Sequence, residues 1–110
     1  MRWKTGVVPF MLHDEIHLRL PVIDGVWMEV TGHQALCTSA RDGRHRQFSG
    51  HYKGKALDLR VRETVFTDAT WPKLHPDEIT RITLLLKERL GDEWLVLFEG
   101  DHFHVEYLGV

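Results

Sequence analysis

The sequence predicts an α+β fold, a small antiparallel sheet with helices packed on one face, and three stretches carry that expectation. Leu57, Leu59 and Val61 alternate with Ala56, Asp58 and Arg60, the period of two that separates the two faces of a strand. Ile79, Ile82, Leu85, Leu86 and Leu90 recur at helical spacing on one stripe, as a helix lying on a core requires. Trp94 to Phe98 and Phe103 to Tyr107 are short apolar runs divided by the polar turn Glu99-Gly100-Asp101, which makes them two further strands.

From the N-terminus, Pro9 suits the first turn of a helix running to about Leu20, with Phe10, Ile16 and Leu20 as a partial apolar stripe. Pro21 is expected to end or kink it, because proline lacks the amide hydrogen of the helical ladder. Val22 to Val30 fits a second helix or a strand, and periodicity does not decide between them. Gln34 to Ser39 has the make-up of a short strand, and the polar, basic, glycine-containing stretch Arg41 to Gly50 that of a loop. Ala56 to Val61 is a strand with Asp58 opposite its apolar face. Pro76-Asp77-Glu78 opens the next helix, Gly91 stops it after Leu90, and both are residues suited to those ends. The tryptophans Trp3, Trp27, Trp71 and Trp94 are expected mainly in the core.

A chain of 110 residues, 43% hydrophobic and 27% charged, is expected to form one globular domain spanning residues 1–110. Its formal net charge of -2 argues against nucleic acid as a partner, since phosphate neutralisation calls for a Lys/Arg excess. The local basic run Arg41, Arg44, Arg46, Lys53 and Lys55 suits a small anionic substrate instead. Cys37 is the one cysteine, expected as a small buried hydrophobe in a strand. No export signal or membrane span is evident, so the expected location is the cytoplasm unless another agent releases the protein.

Chemistry concentrates in two stretches, Ser49-Gly50-His51-Tyr52-Lys53-Gly54-Lys55-Ala56-Leu57-Asp58 and Asp101-His102-Phe103-His104-Val105-Glu106. In the second, strand period puts His102, His104 and Glu106 on one face and sends Phe103, Val105 and Tyr107 to the core. Pairing with the Ala56 strand would bring an imidazole beside Asp58. His51 precedes Asp58 by seven residues, and Gly54 between them permits a tight bend that returns the chain to the same place. Two histidines and one carboxylate leave a zinc ion with residual charge and an open position, which suits hydrolysis better than structure. His13-Asp14-Glu15-Ile16-His17 is a decoy: it spaces two imidazoles like a zinc helix, but it has Asp where that motif has Glu and no third ligand nearby.

Ser49, His51, Gly54, Ala56 and Asp58 fill every fixed position of S-x-H-x-x-G-x-A-x-D, and His102-Phe103-His104 supplies a downstream H-x-H. In these motifs the chain resembles the D-alanyl-D-alanine carboxypeptidase family of zinc metallopeptidases. That family includes D-Ala-D-Ala dipeptidases and phage L-alanyl-D-glutamate endolysins, and its wider superfamily includes lysostaphin-like peptidases and the hedgehog signalling domain. The resemblance covers roughly the last two-thirds of the chain. It implies a hedgehog-like fold, one zinc ion held by His51, Asp58 and His104, and an acidic general base at Asp101, three residues before the last ligand. Glu99, three residues before His102, is the weaker candidate for that base. It also implies an upstream arginine facing the oxyanion, for which Arg41 is placed best and Arg44 and Arg46 are alternatives. Ser49 and His102 become groups that orient the ligands or the substrate, and Glu106 an outer partner or a surface residue. The implied substrate is a peptidoglycan stem peptide containing D-amino acids. The alternative is a zinc-stabilised binding module without catalysis, as in the hedgehog branch.

Overall fold

The computed structural model describes residues 1–4, 12–39, 54–60 and 74–109. Along the chain these form β1 (Arg2–Trp3), α1 (Asp14–Thr31), β2 (Leu36–Ser39), β3 (Ala56–Arg60), α2 (Pro76–Leu90), β4 (Trp94–Phe98) and β5 (His102–Tyr107). The sheet order is β1-β2-β3-β5-β4. β1 runs parallel to β2 while the other neighbours are antiparallel, so the α+β domain carries a mixed sheet and not the purely antiparallel one expected. The reason lies in the connection: α1 carries the chain back between β1 and β2, the crossover that parallel neighbours need.

Helix α1 spans Asp14–Thr31 with Pro21 inside. It starts after the expected position near Pro9, a residue outside the described ones, Pro21 does not end it, and Val22 to Val30 is helix. Ile16, Ile23, Val26 and Trp27 are all buried, and their helical spacing runs through the proline without a phase break. Burial of that stripe outweighs the ~3 kcal/mol that an interior proline costs. The helix begins at His13, whose Nδ1 accepts the Glu15 amide at 3.1 Å. It ends at Gly32, where φ is 78° and the amide donates to the Met28 carbonyl. His13 is therefore the helix cap, with its Nδ1 engaged by the Glu15 amide.

Helix α2 follows the expected bounds. Pro76 occupies its first turn, where no amide is needed, and Glu78 Oε1 accepts the His75 amide at 2.9 Å. Ile82, Leu86 and Leu90 join Ile23, Val26 and Trp27 of α1 in one core with Leu57, Leu59, Phe103 and Val105 of the sheet. Trp27 meets Phe103 edge to face at 5.4 Å between ring centroids. Both helices thus cover the same face of the sheet. Cys37 is fully buried on β2, in keeping with a small hydrophobe. Among the described residues no helix is long and apolar enough to cross a membrane.

Candidate metal centre

The opposite face of β3 and β5 carries the polar residues, and cross-strand register decides which of them meet. Ala56 pairs with Glu106, Asp58 with His104 and Arg60 with His102, while Leu57 and Leu59 pair with Val105 and Phe103 toward the core. A slip of one residue would exchange these faces, so burial of Phe103 and Val105 keeps Asp58 and His104 on one face, and the pairing of Leu57 with Val105 sets them opposite each other. On the outer side Leu97 of β4 lies opposite His104.

Asp58 Oδ1 sits 3.2 Å from His104 Nδ1, and Glu106 Oε1 sits 2.8 Å from His104 Nε2. Ionised carboxylates only accept hydrogen bonds, so both ring nitrogens carry a proton and His104 is an imidazolium in the metal-free chain. Its pKa is correspondingly raised from 6.5 to about 9; the Asp58 hydrogen bond is the main cause, followed, against desolvation, by the Glu106 bond and the charges of both acids. This cation contributes stability that is fully present below pH 6.5 and lost as pH rises through about 9. Denaturant midpoints of chelator-treated protein are expected to fall across that window. A flat profile, or one unchanged by His104→Gln, would show that the two carboxylates do not hold the ring.

The same pair passes a geometric test for zinc. Ligand atoms at ~2.0–2.1 Å in a tetrahedral shell stand about 3.3 Å from one another, close to the 3.2 Å between Asp58 Oδ1 and His104 Nδ1. Metal at Nδ1 would displace the proton now shared with Asp58 and leave Nε2–H on Glu106, the outer hydrogen bond that fixes ring orientation at metal sites. Among the described residues no three His, Cys, Asp or Glu side chains are placed to hold a metal together. A third ligand must come from elsewhere. His51, the residue expected in that role, lies outside the described residues, as do Ser49, Arg41, Arg44 and Arg46. Gly54, the bend between His51 and Asp58, does adopt the left-handed conformation, with φ of 73°.

Around the pair, His102 Nδ1 donates to Asp101 Oδ1 at 2.6 Å. That bond turns His102 Nε2 inward, 3.8 Å from Asp58 Oδ1 and 3.7 Å from Glu99 Oε1. Glu99 Oε1 is also 3.9 Å from His104 Nδ1. Asp58, Asp101 and His102, with Thr38 and Arg60, line a polar cavity of about 110 Å³. Thr38 enters through β2, where its hydroxyl donates to the Asp58 carbonyl at 3.4 Å. Two contributors were not singled out by motif: Arg60 and Thr38. Strand phase alone places Arg60 on the Asp58 face, and that is the signal by which it could have been found.

Comparison of the chain with protein-family models, curated proteins and solved structures finds no match.

Proposed function

We propose that the protein is a zinc-dependent peptidase acting on peptidoglycan stem peptides, of the D-Ala-D-Ala carboxypeptidase or L-Ala-D-Glu endopeptidase type. The observation that carries this reading is the Asp58–His104 pair, set at the spacing of two zinc ligands beside a polar cavity. His51 completes the ligand set. Bound zinc supplies a Lewis acid and a water whose pKa is brought down to about 7.

The chain's own groups do the rest. Glu106 holds the His104 ring by its far nitrogen. Asp101 takes the proton of the attacking water and returns it to the departing amine, within reach of the cavity it lines. His102, fixed by Asp101 through Nδ1, presents Nε2 to the same space. Arg41 faces the negative charge that develops on the carbonyl oxygen.

The test is metal content and cleavage together: quantify zinc in the purified protein, incubate it with soluble muropeptides, and read the products by mass spectrometry. Stoichiometric zinc with one defined new fragment is the expected result. Zinc without cleavage of any muropeptide would replace the enzyme with a zinc-stabilised binding module, and absence of metal affinity would remove the zinc centre itself.

A further inference from the structure

Arg60 is two residues beyond Asp58 on β3, on the same face, and its cross-strand partner is His102. It forms one wall of the cavity that Thr38, Asp58, Asp101 and His102 also line. The two acids that line this cavity with it hydrogen-bond histidines, Asp58 to His104 and Asp101 to His102. Among the described residues no hydrogen bond or ion pair takes up its guanidinium. The cavity, about 110 Å³, has room for one small charged group. A planar fork of N–H donors facing such a space is matched by a carboxylate, which it grips with two parallel bonds.

Position then says which carboxylate. Two strand steps separate the Asp58 and Arg60 backbones by roughly 6.6–6.8 Å, so a group held by Arg60 lies about one residue from the bond presented to Asp58 and His104. We propose that Arg60 binds the free α-carboxylate of the residue whose amine leaves. The proposal rests on the peptidase reading and narrows its substrate. In a D-Ala-D-Ala terminus that carboxylate is the chain end. In an L-Ala-D-Glu stem it is equally free, because the peptide continues through the γ-carboxyl. One arginine therefore serves either bond, and a substrate with this carboxylate blocked is refused.

The experiment uses the full chain loaded with zinc, as wild type, Arg60→Ala and Arg60→Lys, with zinc content measured for each. Two pairs of probes are compared: diacetyl-L-Lys-D-Ala-D-Ala against its C-terminal amide, and an L-Ala-D-Glu muropeptide against its α-amide. Wild type is expected to prefer the acid of one pair by about 10- to 100-fold in kcat/KM. Arg60→Ala should lose that preference mainly through KM, and Arg60→Lys should restore part of it. The pair that shows the effect identifies the source of the carboxylate. Equal turnover of acid and amide by wild type, or a preference that survives Arg60→Ala, overturns the proposal while leaving the peptidase intact. Calorimetric binding of D-Ala-D-Ala and of free D-Glu, each against its α-amide, decides the case without turnover. Absence of cleavage by zinc-loaded wild type refutes the peptidase, whereas acid binding indifferent to Arg60→Ala refutes the role of Arg60.

Discussion

Replacing His104 with alanine is expected to lower zinc affinity by on the order of a thousandfold and to weaken the metal-free fold as well. The first effect follows from sharing the ~10–16 kcal/mol of a zinc site among three or four ligands, so that losing one removes several kcal/mol. The second follows from what remains. Asp58 and Glu106 now share His104 between them, at 3.2 and 2.8 Å, and alanine leaves two carboxylates facing one gap. Breaking a fully buried pair costs ~3–5 kcal/mol. Here the side chains are 14% (His104), 18% (Asp58) and 21% (Glu106) exposed, so solvent reduces the expected loss to about 1–3 kcal/mol.

The two effects separate experimentally. Chelator competition reads the affinity, and urea unfolding with chelator present reads the metal-free fold. Zinc affinity within threefold of wild type would exclude His104 as a ligand. Loss of affinity with an unchanged metal-free midpoint would keep the ligand but deny the imidazolium bridge.

How far this site could be seen in the sequence depends on the difference between phase and register. Phase is local: alternation of Phe103, Val105 and Tyr107 with His102, His104 and Glu106 is enough to sort the faces of β5. Register is not local. Whether Asp58 meets His104, His102 or Glu106 is set by how β3 slides along β5, and only the pairing of Leu57 with Val105 fixes it. The phase of Arg60 is legible, on the Asp58 face of β3, but its place opposite His102 and beside the cavity depends on register and is not.

The helices and strands divide along a similar line. α2 and β5 combine clear periodicity with sharp end signals, β4 is an apolar run bounded by Gly91 and the Glu99-Gly100-Asp101 turn, and the bounds of all three fall within a residue of expectation. α1 extends beyond Pro21 because the buried stripe Ile16, Ile23, Val26 and Trp27 continues through it, a tertiary gain that the local proline signal does not carry. β1, only Arg2–Trp3, is too short to show any period, so the parallel edge of the sheet had no sequence signal. The hedgehog-like topology implied by the family resemblance is a finer statement than these elements carry, and it stands with the proposed function.

Asp101→Asn is expected to reduce kcat by about 10²- to 10⁴-fold, the usual range for a lost general base, with zinc content and fold unchanged. The carboxylate is not a ligand in the proposed set, and its side chain is 52% exposed, so little stability rests on it. Asparagine keeps the size and can still accept a hydrogen bond from His102, which isolates the proton-transfer role from the orienting one. Glu99→Gln is the necessary comparison, because Glu99 Oε1 approaches His102 Nε2 and His104 Nδ1 at 3.7 and 3.9 Å. Its effect should stay within about tenfold if Asp101 is the base. The reverse ranking would transfer the role to Glu99. Should Asp101 act only by holding His102, Asp101→Asn would be nearly silent, while Asp101→Ala, His102→Ala and the double alanine variant would lose about the same, since residues acting as one unit are not additive. A double variant markedly slower than either single one would instead give the two side chains separate tasks, with Asp101 handling the proton and His102 the position of the substrate.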